Sequence, residues 1–202
     1  MKSTVSVIIP TYNRAHCLPR ALDSVLKQSR DVDEIIVIDD GSTDDTQSLL
    51  KQHYPQVMRL YQPNRGVSAA RNQGISAAQT NWIALLDSDD AWHPQKIEKQ
   101  FNALAIKPNP LCHTNEIWIR RGVRVNPMKK HRKGSDKLFD RSLERCLISP
   151  SSALIQRDLF SVVGLFDETL PACEDYDLWL RVTAQFETTF VDEALTIKHG
   201  GH

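Results

Sequence analysis

Short apolar runs alternate with helical patterns through the first hundred residues, and this alternation constrains the fold most. Residues 5–9, 34–38, 57–61 and 82–86 read as strands one to four, the first as Val5-Ser6-Val7-Ile8-Ile9 and the last as Trp82-Ile83-Ala84-Leu85-Leu86. After them, residues 17–28, 44–52, 66–78 and 94–106 carry helical spacing, the last with Pro94 in its first turn. Strands that are apolar throughout are covered on both faces. With helices between them, they predict a mostly parallel, doubly wound α/β sheet. Ligands of such sheets sit outside the carboxyl ends of the strands.

The second half is less regular. Residues 111–119 and 149–155 are expected as strands, and 157–163 and 175–183 as helices. Between them lies a basic stretch, 120–137, centred on Lys129-Lys130-His131-Arg132-Lys133. It reads as a solvated loop, or as a flap or contact for an anionic acceptor or membrane surface. In the third helix, Gly66, Ala70, Gly74 and Ala77-Ala78 form a small-residue stripe. Each glycine weakens a helix by about 1 kcal/mol. The stripe therefore implies close approach, either to the sheet or to a ligand.

Composition excludes several classes. The chain holds 25 basic and 25 acidic residues, so no global charge suggests a nucleic-acid partner. No apolar run approaches the roughly 18 residues of a membrane span, and the N-terminus lacks a signal peptide's apolar region. Four scattered cysteines without a Cys-X-X-Cys pair speak against a disulfide framework or zinc site and fit reduced thiols. The expectation is a soluble cytoplasmic protein.

Every polar cluster of the first half falls at a strand's carboxyl end. Strand one runs into Pro10-Thr11-Tyr12-Asn13-Arg14, strand two into Asp39-Asp40-Gly41-Ser42-Thr43-Asp44, and strand four into Asp87-Ser88-Asp89-Asp90. Strand three precedes Asn64-Arg65-Gly66, with Arg71-Asn72 a turn into its helix. Carboxylates leaving a buried strand are costly unless they meet solvent, a metal or a ligand's hydroxyls. On one rim, Tyr12 offers a face for a base, and Asp39, Asp40 and Asp87 offer acceptors for base or ribose donors. Asp89 offers a hard oxygen for Mg²⁺ or Mn²⁺, and Arg65 and Arg71 offer cations for phosphate. Taken singly, Asp40-Gly41-Ser42-Thr43 could be a turn with a helix cap and Tyr12 a rim aromatic. Together they read as a nucleotide–metal site that also includes Pro10, Thr11, Arg14 and Ser88.

These clusters, with Gly66-Val67-Ser68-Ala69-Ala70-Arg71-Asn72-Gln73-Gly74 and Glu174-Asp175-Tyr176-Asp177-Leu178-Trp179-Leu180-Arg181, resemble family 2 glycosyltransferases in order and spacing. The resemblance runs from residue 5 to the end, and only about 112–148 lacks a diagnostic motif. It implies a GT-A fold and inverting transfer of a sugar from a nucleoside diphosphate donor, most often a uridine one. The acceptor would be a glycan or lipid-linked hydroxyl, in cell-surface polysaccharide or lipopolysaccharide assembly. Residues 1–202 would form one such domain, about 1–110 binding the nucleotide sugar and 111–202 the acceptor. The resemblance places Tyr12 on the base, Asp40 at its ring N–H, Arg71 near base or diphosphate and Asp87 near the ribose. It gives the metal to Asp89 and the catalytic base to Asp175.

Inversion needs one in-line displacement, with a carboxylate taking the acceptor's proton. At a helix start, the dipole should hold Asp175 ionised with a lowered pKa; Glu174-Asp175 alone would read as a helix cap, and only the complete motif favours the base. Leu178 and Trp179 are expected in the core, whereas Trp92 could be core or sugar platform. Related enzymes often place a C-terminal histidine near the metal or diphosphate, so His199 or His202 is a further candidate. The chain stops at His202 where many members continue, so it is either part of a longer protein or short at that end. A nucleotidyltransferase would need a glycine-rich loop after strand one, and a dinucleotide-dependent dehydrogenase a Gly-X-Gly-X-X-Gly; both are absent. A non-catalytic nucleotide- or glycan-binding module is the other reading of the same rim.

Overall fold

The computed structural model describes residues 3–125, 132–135 and 138–200. Strands β1 (Val5–Thr11), β2 (Glu34–Asp39), β3 (Met58–Tyr61) and β4 (Trp82–Leu85) form the expected parallel half, in the order β3-β2-β1-β4. Helices α1 (Leu18–Leu26), α2 (Thr46–His53) and α3 (Val67–Ala77) cross between them, and α4 (Lys96–Ile106) follows the short β5 (Ala91–Trp92). The register sets Thr11 beside Asp39, which brings the loops after β1 and β2 together.

Beyond β4 the sheet becomes mixed. It holds β6 (Leu111–Arg120), β7 (Val123–Val125), β8 (Leu154–Gln156) and β9 (Thr189–Gly200), with helices α5 (Leu138–Ser142), α6 (Leu159–Val163) and α7 (Glu174–Thr183). β8 enters antiparallel between β4 and β6, β9 runs parallel to β6, and β5 closes that edge antiparallel to β9.

Alternation along the strands sorts the core into two layers. Val5, Val7 and Ile9 pack with Leu18, Leu22 and Val25 of α1 and with Ile97 and Phe101 of α4. Ile8, Ile38 and Leu85 pack on the opposite face with Ala70 of α3, Phe160 of α6 and Leu178, Trp179 and Val182 of α7. Burying each such side chain contributes roughly 1.5–3 kcal/mol. Leu178 and Trp179 are core residues, as expected. Trp92 is also core, its indole N–H donating to the Ser151 carbonyl at 2.7 Å.

Of the two purposes proposed for the α3 stripe, close approach to the sheet is visible at Gly74. A Cβ on Gly74 would lie 2.6 Å from Ile8 Cγ2 and 2.7 Å from Ile38 Cδ1, so this end lies hard on the sheet. The other end, Gly66 and Ala70, faces a cavity described below.

Three local expectations need correction. Pro94 stands outside α4, which begins at Lys96 behind the cap Gln95. Residues 149–155 are not one strand: Pro150–Ser152 form a 3₁₀ turn before β8. Pro150 has no N–H for a ladder, and the Ser152 and Ala153 amides bond back to the Ser149 and Pro150 carbonyls. β9 has no counterpart in the sequence reading. Its register slips against β6 around Asn115, and the polar Asp192 and Glu193 of the irregularity break the alternation that would reveal a strand.

Candidate active site

The carboxyl-end loops of β1 and β2 are joined by side chains. Asn13, in a left-handed backbone (φ 52°), accepts the Thr43 amide at 2.8 Å, while its own amide donates to Ser42 Oγ at 2.9 Å. Asp44 accepts from the Ala15 and Thr46 amides at 3.1 and 3.0 Å. Asp39 accepts the Ser42 amide at 2.8 Å. Asp40 binds the loop after β3, accepting from Gln62 Nε2 (2.6 Å) and from the amides of Arg65 (2.8 Å) and Gly66 (2.9 Å). Gly66 makes that turn at φ 91°, a conformation that favours glycine.

These loops enclose a cavity of about 540 Å³. Pro10, Thr11, Tyr12, Arg14, Asp40, Arg71, Asp87, Ser88 and Asp89 all line it, as the sequence places them. Asn64, Gly66, Val67 and Ala70 complete the wall, of which Val67 and Ala70 carry no polar signal by which a sequence could mark them. Tyr12, one of the lining residues, is 46% exposed.

Four of the named residues stand differently from a free position on the wall. Asp39 lies outside the wall, buried, with its second oxygen unpartnered. Asp40 lines the cavity while both its oxygens also hold the β3 loop. Arg65 also stands off the wall, in an exposed pair with Glu168 at 2.8 Å. Arg71 is no spare cation for phosphate. It is 4% exposed and forks between Asp87 Oδ1 (2.8 Å) and Glu174 Oε1 (2.6 Å). Burial opposes charge on Asp87, yet Arg71 outweighs it and holds the carboxyl below its ordinary value.

Through that fork the wall of the cavity meets α7. Cys173, left-handed at φ 63°, precedes Glu174 and Asp175, and Asp175 accepts the Tyr176 amide at 2.8 Å. Asp175 does not cap α7, whose cap position is Cys173. Nor is its pKa lowered: burial, then the neighbouring Glu174 charge, raises it above the ordinary carboxylate value and outweighs the amide bond. Asp175 lines a second cavity of about 400 Å³, together with Glu116, Trp118, Lys133, Arg145, Cys146 and Lys198. Of these, the sequence had named only Asp175 as a site residue, because the others sit in the stretch without motifs or on the unforeseen β9.

Asp90, without an assigned role in the sequence, anchors this region. It is 1% exposed, accepts from Ser151 Oγ (2.6 Å) and the His199 amide (3.0 Å), and lies 4.0 Å from Lys198 Nζ. Burial, then Asp87, pushes its pKa up to about 7. Ser151 Oγ also accepts the Asp87 amide at 3.1 Å, so the acidic loop and the end of β9 share one support.

No three His, Cys, Asp or Glu side chains gather to hold a metal among the described residues. Asp89 nonetheless lines the first cavity with a hard oxygen donor. Mg²⁺ is commonly held by one or two carboxylates and the substrate's phosphates, and the residues present fit an ion held that way. His202 lies outside the described residues, as do Lys129, Lys130 and His131. Lys133 does not belong to a solvated surface: it is buried against Glu116 at 2.8 Å, both side chains 6% exposed. No helix among the described residues is long and apolar enough to cross a membrane.

Several known proteins resemble the chain. A family model described as Glycosyl transferase family 2 matches residues 6–164. An uncharacterized glycosyltransferase of Rickettsia prowazekii is 33% identical over 98% of the chain, which spans 64% of that relative's length. A Bacillus subtilis glycosyltransferase, TuaG, provisionally named for teichuronic acid biosynthesis, is 32% identical over 94% of the chain and 75% of its own length. Among solved structures, residues 1–349 of Staphylococcus aureus TarS with UDP-GlcNAc superpose with a TM-score of 0.83 at 20% identity, over 98% of the chain and 59% of that fragment. That likeness establishes the GT-A fold.

Proposed function

The chain belongs to glycosyl transferase family 2, and on that premise we propose that it is an inverting transferase using a nucleoside diphosphate sugar. The donor is a uridine nucleotide, its base on Tyr12, its ribose near Asp87 and its diphosphate towards Asp89. One observation carries this reading: Arg71 joins Asp87 of the nucleotide-side cavity to Glu174, the residue before Asp175. A donor and a base on either side of that bridge can meet at one anomeric carbon.

Asp175 takes the proton of an acceptor hydroxyl as its oxygen attacks the anomeric carbon. The carbon–oxygen bond to phosphate breaks, and its electron pair leaves with the diphosphate. A positioned base of this kind contributes about 10²–10⁴-fold. Its raised pKa suits the task, since a more basic carboxylate abstracts the proton better. Mg²⁺ or Mn²⁺ bound at Asp89 would supply charge neutralisation for the diphosphate. The TuaG resemblance supports a glycan or lipid-linked acceptor of surface-polysaccharide type.

The test is a panel of nucleotide sugars with Mn²⁺ or Mg²⁺, read as donor hydrolysis, transfer and UDP binding. Asp175→Asn should lose transfer about 10²–10⁴-fold with UDP affinity kept, and Asp89→Asn should lose the metal dependence. Undiminished transfer by Asp175→Asn would remove the proposed base.

A further inference from the structure

The second cavity has a charge pattern that transfer chemistry alone does not require. Four cations line it, Arg120, Lys133, Arg145 and Lys198, against two carboxylates, Glu116 and Asp175. Glu116 and Lys133 cancel each other, and Glu116 is further saturated by Ser149 Oγ and Trp118 Nε1, both at 2.6 Å. Lys198 faces Asp90 at 4.0 Å, with Asp87, Glu116 and Asp175 around it, so its charge is offset by the floor of the site. His199 is held below its ordinary pKa by burial, then by Arg20, and adds no cation.

Two guanidiniums remain. Arg145 has as partner its sequence neighbour Glu144, 3.2 Å away and 73% exposed, a pair that solvent screens to little value. Arg120 is exposed and packs 5.7 Å from the centre of the Trp118 ring. A guanidinium presents a planar fork of donors that matches a carboxylate or phosphate two bonds at a time. An acceptor whose hydroxyl reaches Asp175 thus enters a cavity of surplus positive charge, with Trp118 and Ile119 as apolar wall for a sugar ring.

Resting on the transferase reading, we infer that the acceptor is an anionic glycan, its carboxylate or phosphate held by Arg120 and Arg145 while a neighbouring hydroxyl meets Asp175. Opposite charge at the entrance also raises the encounter rate and makes acceptor use salt-sensitive.

Binding and transfer should be measured with UDP present, using an oligoglucuronate, its carboxyl-reduced neutral counterpart and that neutral sugar carrying a terminal phosphate. At least one anionic form should bind roughly tenfold or more tightly than the neutral one, the two arms telling carboxylate from phosphate. Arg120→Gln with Arg145→Gln should abolish the preference and leave UDP affinity and melting temperature unchanged. Lys51→Gln, a surface change on α2, should leave the preference intact. Equal binding of all three sugars, binding of none, or equal loss in Lys51→Gln would overturn the inference. Failure of the underlying reading looks different: the protein would turn over no nucleotide sugar, whatever acceptor is present.

Discussion

Replacing Arg71 by Met tests the connection on which the site depends. The guanidinium is 4% exposed and paired with Asp87 and Glu174, whose side chains are 25% and 15% exposed. Methionine fills much of the volume but leaves two half-sequestered carboxylates facing each other. Removing one partner of a buried pair costs about 3–5 kcal/mol. Partial exposure of both acids puts the expected loss near the lower end, about 3 kcal/mol. For a chain of this size that is a fall in melting temperature of roughly 6–12 °C, against a total stability of about 5–15 kcal/mol.

The loss carries a pH signature. Asp87 has a depressed pKa when folded, so it contributes stability above its unfolded value that is lost as pH falls through the folded value. In Arg71→Met that contribution is already missing at pH 7, and acid relieves the repulsion as Asp87 takes up its proton. The two proteins should therefore converge below about pH 4. Urea unfolding from pH 7 to pH 3.5 measures the gap. Arg71→Lys should recover less than half of it, because one ammonium cannot fork to two carboxylates. A gap under about 1 kcal/mol at pH 7, or one that widens in acid, would refute the reasoning.

Two further outcomes follow from the same contacts. The base must be ionised, so transfer should fall as pH drops through the raised pKa of Asp175. Glu174→Gln removes the second cause of that rise and should move the acid limb of kcat/KM to lower pH; an unmoved limb would show that Glu174 is not felt there. Gly74→Ala should gain about 1 kcal/mol of helix propensity and lose more, since the new methyl meets Ile8 and Ile38 at 2.6 and 2.7 Å. Net stabilisation in denaturant unfolding would contradict the close helix–sheet contact.

Much of the first half of the chain was legible because its signals are local. Apolar runs mark β1, β2 and β4, helical spacing marks α1 to α4, and the polar residues after each strand necessarily reach one rim of a parallel sheet. Nine of the proposed nucleotide and metal residues, from Pro10 to Asp89, do line one cavity. Contacts were less legible than motifs. Asp39 and Arg65 belong to the same motifs yet stand off the wall, and Asp40 also holds the β3 loop. The basic stretch looked solvated by composition, but Lys133 is buried on Glu116.

The sequence by itself determined the parallel α/β half, the rim on which the chemistry gathers and the family of the chain. Tertiary structure alone decided which charges are spent on one another. Arg71 meets Glu174 across 103 residues, and Asp90 holds the end of β9 across 109. No local spacing records such pairs. A carboxylate or guanidinium looks the same in sequence whether it faces solvent or a partner, and only burial and distance fix its charge state and its role.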